Sequence, residues 1–174
     1  LRRNGCEDYM VEIGGEMALR GHNPRGTDWQ VQIDAPVEGA ATHEAMRVVA
    51  LTDCGVANRE ITAITVSQYA TDILSATVVA PTCAEADALA TACMASPEAD
   101  AVAMLKGMGD VRALLVVADG DTLRQIRVEV FEPPDSAQVV VGEDVAPLHW
   151  FAQQVSDGWA VYALRIFAKS RCAR

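Results

Sequence analysis

An aspartate and a threonine four positions apart, Asp87 and Thr91, lie inside the run Ala86-Asp87-Ala88-Leu89-Ala90-Thr91. On a helix that spacing stacks both side chains on one face. A carboxylate and a hydroxyl converging near a helix N-terminus can take a hard cation such as Mg²⁺, which prefers oxygen ligands and completes its shell with water and phosphate. Small residues at Ala84, Ala88 and Ala92 leave room for a ligand. The same pair also has a plain structural use: an early Asp offsets the helix macrodipole, and a mid-helix Thr often bonds its own backbone. Gly14-Gly15, closing an apolar run, is the second candidate, because a chain without Cβ atoms lets a nucleotide lie against its backbone. A β-bulge would use such a glycine equally well. His22 falls in a turn, His43 opens a helix-like stretch and His149 sits beside Trp150, and none has a visible partner that would make it a base.

These residues need elements to hold them. Tyr9–Ile13 and Glu16–Arg20 read as strands around Gly14-Gly15, and Trp29–Ile33 alternates apolar and polar as a half-buried strand does. Arg47–Thr52 and Ile73–Ala80 are further strands, the second stopped by Pro81. Thr82 and Glu85 form a capping box that opens a helix running to about Ala95. Ser96 as N-cap and Pro97 at the first helical position predict a second helix to about Met108. Ala113–Ala118 and Leu123–Phe131 are strands joined by the turn Asp119-Gly120-Asp121. After Glu132-Pro133-Pro134-Asp135 the pattern changes: a short strand at Gln138–Val141, a helix around Leu148–Val155 and a last strand at Trp159–Phe167. The expected fold is α+β, a mixed or antiparallel sheet packed against a helical pair. Residues 1–131 form its main body and 132–174 an appended tail of unknown role.

Composition narrows the function classes. With 51% hydrophobic residues and a mean hydropathy of +0.12, the chain of 174 residues is not disordered as a whole. Aromatics are 5%, so the core must be aliphatic and small. A net charge of -10 argues against a nucleic-acid partner gripped through many phosphates, though not against a metal-bridged nucleotide. Five cysteines without C-x-x-C spacing signal neither zinc nor a disulfide framework, and small buried thiols are expected. No run approaches the roughly 20 apolar residues of a membrane helix, and no signal-peptide stretch opens the chain. Leu1-Arg2-Arg3-Asn4-Gly5 looks like the last turn and cap of a helix whose body lies upstream, so a fragment is expected.

Three stretches together resemble the FAD:protein FMN transferases, the family often called ApbE. They are Tyr9–Glu16 with Arg20-Gly21-His22-Asn23-Pro24-Arg25-Gly26 and Trp29; Ile73–Pro81 leading into Ala86–Thr91, which is similar to the family's A-D-A-x-A-T helix; and Asp119-Gly120-Asp121 with Arg124–Arg127. The resemblance covers roughly Leu1–Phe131 and corresponds to the C-terminal part of such enzymes. Two family segments are missing from it: an S-G-x-Y-R stretch and a loop of the form H-x-I-[DN]-P-x-T-G. The interval Val56–Tyr69 stands in their place without His or Pro.

The resemblance implies an Mg²⁺-dependent transfer of FMN from FAD to a threonine hydroxyl of an acceptor flavoprotein, with AMP released. It implies Asp87 and Thr91 as metal ligands and Gly14 and Gly15 at the flavin nucleotide site. It also implies the bacterial export and membrane tethering typical of the family. The alternative is a catalytically inactive descendant or fragment that binds flavin nucleotide or a protein.

Overall fold

The computed structural model describes residues 1–34, 45–60, 71–120, 122–129, 149–155 and 158–168. After a 3₁₀ turn at Arg2–Asn4 come strands β1 (Tyr9–Ile13), β2 (Glu16–Arg20), β3 (Trp29–Asp34), β4 (Ala45–Leu51), β5 (Gly55–Glu60) and β6 (Ile73–Ala80). Helices α1 (Cys83–Met94) and α2 (Glu98–Lys106) follow, then β7 (Arg112–Asp119), β8 (Thr122–Val128), β9 (His149–Val155) and β10 (Gly158–Ala168). Eight strands make one sheet in the order β8-β7-β6-β5-β2-β1-β10-β9, while β3 and β4 pair with each other. Among the described residues all the pairings are antiparallel. The fold is thus α+β, an antiparallel sheet with a helical pair.

Strand alternation divides the core into two layers. Ala57, Ala76, Val78, Ala80, Ala113, Leu115 and Val117 pack with Ala86, Ala90, Cys93, Ala101 and Leu105 of the helices. The intervening residues Val56, Val79 and Leu114 face the other way, onto Trp29, Val31, Ile33, Val49 and Leu51 of the β3–β4 hairpin. An inner strand covered on both faces has no reason to alternate in polarity, which explains the unbroken apolar run of β7. Alanine meets alanine where α1 crosses β5 and β6, so helix and sheet approach closely and the core needs few aromatics.

Local chemistry sets the ends of α1. The Thr82 hydroxyl oxygen accepts from the Glu85 amide at 3.2 Å and donates to Glu85 Oε2 at 2.8 Å. The glutamate therefore reaches back to the cap hydroxyl. At the other end the Ser96 hydroxyl donates to the Ala92 carbonyl at 2.8 Å. Ser96 thus closes α1 rather than capping α2, whose N-cap is Pro97 without a side-chain cap bond. Gly5 takes the left-handed conformation, φ 72°, at the end of the first turn.

In four further places the structure corrects the sequence expectations or fills in what they left open. Where a helix is expected around Leu148–Val155, the described residues His149–Val155 form strand β9, which pairs with β10 from Val155↔Gly158 to His149↔Leu164; sheet pairing has overridden local preference. Gly14-Gly15 is no bulge but the tip of the β1–β2 hairpin, both residues at positive φ (64° and 99°), as turns matched to strand twist demand. The first part of the interval Val56–Tyr69 is strand β5, at the centre of the sheet. Cys6 is disulfide-bonded, whereas Cys54, Cys83 and Cys93 are free thiols. The stretch 132–174 supplies β9 and β10, and β10 pairs along the whole of β1. The strand expected at Gln138–Val141, His43 and residues 61–69 lie outside the described residues.

Candidate functional site

Asp87 follows from the α1–β5 packing. Gly55 at the start of β5 abuts Cys83 at the start of α1, and the helix runs along β5 and β6. Ala57 faces the helices, so period-two alternation brings Arg59 to the same face. From these shared starting points Arg59 lies roughly 13 Å along the strand. Asp87 lies about 6 Å along the helix. The long guanidinium arm closes the difference. Arg59 Nε donates to Asp87 Oδ1 at 3.1 Å, and Nη2 donates to the same oxygen. Nη2 also meets Glu16 Oε1 at 3.0 Å.

Glu16 enters because it opens β2 directly after the Gly14-Gly15 tip and pairs with Ala57, two residues before Arg59. A Cβ on Gly15 would lie 3.5 Å from the Asn58 carbonyl, so the tip packs beside the end of β5. Asp87 and Glu16 therefore meet on one arginine, and the Gly14-Gly15 tip lies next to Glu16 and the Asn58 carbonyl. Thr91 stands one turn further along α1, exposed, its hydroxyl without a hydrogen-bond partner among the described residues. Neither plain structural use of the pair is realised: Thr91 does not bond its backbone, and Glu85 rather than Asp87 is the acid of the first turn.

Two carboxylates against one guanidinium leave this cluster one negative charge in excess. The Asp87 hydrogen bond and the Glu16 and Asp87 charges raise the Arg59 pKa above its ordinary value. Burial, reinforced by the Glu16 and Asp87 charges, raises the Cys83 pKa and keeps it a thiol. Among the described residues no three His, Cys, Asp or Glu side chains converge as a metal cage. An Asp–Thr oxygen pair on one helix face fits Mg²⁺ held jointly with water and phosphate, which is how that ion commonly binds.

Arg59 and Glu16 were missed as functional candidates from sequence. The signal for Arg59 was available in Ala57-Asn58-Arg59, had the stretch been read as a strand with Ala57 inward. A separate cleft of about 240 Å³ lies at the opposite end of these strands, lined among others by Arg2, Tyr9, Arg20, Cys54 and Thr82. His22 is exposed, 3.8 Å from Asp28, and takes no part in the cluster.

An antiparallel sheet backed by a helical pair is an architecture shared with solved flavin transferases. The flavin transferase ApbE from Vibrio cholerae superposes with a TM-score of 0.63 at 26% identity, over 75% of this chain and 45% of that one. The apo flavinyl transferase ApbE of Pseudomonas stutzeri has the same fold, with a TM-score of 0.55 at 23% identity over 69% of this chain and 40% of its own. In sequence the chain is 29% identical over 147 residues to an FAD:protein FMN transferase of Vibrio cholerae, covering 76% of this chain and 44% of the relative. The Haemophilus influenzae protein of the same name is 33% identical over 108 residues, 52% of this chain and 31% of its own. Residues 1–59 and 61–115 match the ApbE family. The chain belongs to the ApbE family, and it spans less than half the length of these relatives.

Proposed function

We propose that this chain is part of an Mg²⁺-dependent FAD:protein FMN transferase, the part that holds the metal and the nucleotide phosphates. The observation that carries the reading is the convergence of Arg59, Asp87 and Glu16 beside the Gly14-Gly15 tip. Asp87 and Thr91 would hold the cation together with phosphate oxygens. Bound there, Mg²⁺ supplies neutralisation of pyrophosphate charge. Arg59 offers a planar fork matched to phosphate oxygens, and the side-chain-free hairpin tip admits a phosphate to the backbone. The reaction forms a bond from the acceptor threonine oxygen to the FMN phosphorus and breaks the pyrophosphate P–O bond, so that AMP leaves with the bridging oxygen and the hydroxyl proton passes to water. Such chemistry asks for positioning and charge neutralisation more than for a reactive side chain.

The test is a melting curve with FAD, with and without Mg²⁺. FAD is expected to raise Tm only when Mg²⁺ is present, and Asp87→Asn to abolish the rise. No shift in either condition sinks the reading. Incubation with FAD, Mg²⁺ and a threonine-bearing acceptor is then expected to give AMP and a flavin-mass adduct. FAD binding without AMP favours the non-catalytic descendant, a reading supported by the absence of any histidine between His43 and His149.

A further inference from the structure

Arg59 holds one oxygen of the carboxylate that the proposed metal requires. Its Nε and Nη2 both donate to Asp87 Oδ1, so a cation approaching Asp87 meets a positive charge already in place. The same arm has a second anchor in Glu16, 3.0 Å from Nη2. Releasing Asp87 therefore does not strand the guanidinium. The arginine and aspartate side chains are 43% and 41% exposed, which leaves the arm room to move and keeps the pair weak enough to exchange. Glu16 is the less exposed carboxylate, at 21%, and so the firmer holder.

We propose that Arg59 is a built-in counter-ion, bound to Asp87 when the site is empty of metal and displaced onto Glu16 and the nucleotide phosphate when a divalent cation arrives. The inference rests on the reading of Asp87 as a metal ligand. Asp87 cannot give its full charge to two cations at once, so arginine and metal compete, and the observed metal affinity is the intrinsic one reduced by the fraction of sites the arginine holds. A phosphate group reverses the penalty, because the freed fork gains a new acceptor. Metal alone then binds weakly, and metal with a dinucleotide binds well. Arg59 is in these terms a positioning residue that couples the two.

Mn²⁺ binding to the whole chain without nucleotide, read by electron paramagnetic resonance, separates the possibilities. Arg59→Gln is expected to tighten Mn²⁺ binding about two- to fivefold, the range set by an exposed ion pair. Arg59→Lys, which keeps the charge and loses the fork, should tighten it less, and Asp87→Asn should abolish binding. In the presence of FAD the order reverses, with Arg59→Gln weakening Mn²⁺ binding. In the unsubstituted chain, Mg²⁺ should shift the Arg59 Nε–H resonance, a readout that needs no variant to fold. If Asp87→Asn abolishes binding while Arg59→Gln leaves it unchanged or weaker and the resonance stays still, the counter-ion exchange is wrong and the metal reading stands. If Asp87→Asn leaves Mn²⁺ binding intact, both fall together.

Discussion

Gly55 presses against the first turn of α1 so closely that a Cβ built on it would sit 2.1 Å from the Cys83 amide nitrogen. The next nearest atoms, Thr82 C and Cys83 Cα at 2.3 and 2.4 Å, are also backbone, so no flexible side chain can yield. Gly55 stands in the centre of the sheet, paired with Ala18 on one side and Ala80 on the other, so the strand cannot give way either. Here the glycine serves close approach rather than an unusual backbone conformation. That contact also sets the register in which Asp87 meets Arg59.

Gly55→Ala must therefore lift the start of α1 off the sheet. The expected cost is about 3 kcal/mol or more, at the upper end of overpacking effects. Gly109→Ala is the control: nothing lies within 4 Å of its Cβ position, and it should change stability by less than about 1 kcal/mol. Urea unfolding of both variants checks the difference. Equal, small losses would show that α1 can tilt freely, and the geometry of the Arg59–Asp87 pair would then need another cause.

The elements that proved legible were those with local signals. Ile73–Ala80 and the Thr82/Glu85 box carry their own start and stop chemistry, and the structure has them where the sequence puts them. Strand β5 was not legible, because Val56-Ala57-Asn58-Arg59-Glu60 looks polar and irregular until its two faces are separated. Ala57 packs under α1 and Val56 under the hairpin, while Arg59 and Asn58 carry the polar contacts on opposite faces. Strand β9 failed for a related reason: its polarity does not announce a strand, and its partner β10, which starts at Gly158, lies outside its own seven-residue window. Asp87 and Thr91 could be singled out because helical spacing is local. Their neighbour Arg59 comes from 28 positions upstream of Asp87, through a sheet register that sequence periodicity alone does not supply.

Cys93 is fully buried on the sheet-facing side of α1, and burial pushes its thiol up to about 11 from the ordinary 9.0. The neutral thiol is therefore favoured by the fold. A pKa raised on folding contributes stability that is fully present below pH 9.0 and is lost as pH climbs towards about 11, where the folded thiol also ionises. Cys54 is pushed to about 11 as well, by burial, with Arg112 opposing and Asp53 adding to the rise. Cys93 is the cleaner probe because burial is its single cause. Urea midpoints should fall between pH 9.0 and 11, and Cys93→Ala should fall less steeply over that window. Parallel curves for the two proteins would mean that the thiol ionises in place without opposition from its surroundings.

Ser75 is 1% exposed on β6, and its hydroxyl finds no hydrogen-bond partner among the described residues. Thr77, two positions on and on the same face, is equally buried but donates to Asn58 Oδ1 at 2.9 Å. The contrast isolates the cost of an unmade hydrogen bond, since the two hydroxyls share a strand and a face. Replacing a buried hydroxyl that bonds nothing removes a desolvation penalty, whereas replacing one that bonds leaves its acceptor stranded. Ser75→Ala is expected to be neutral or to stabilise by up to about 1 kcal/mol. Thr77→Val should cost about 1–2 kcal/mol, because Asn58 loses its donor while the shape is kept. Chemical denaturation of both variants decides it. A loss on Ser75→Ala as large as that on Thr77→Val would show that the Ser75 hydroxyl is satisfied in solution, by a bound water between the layers.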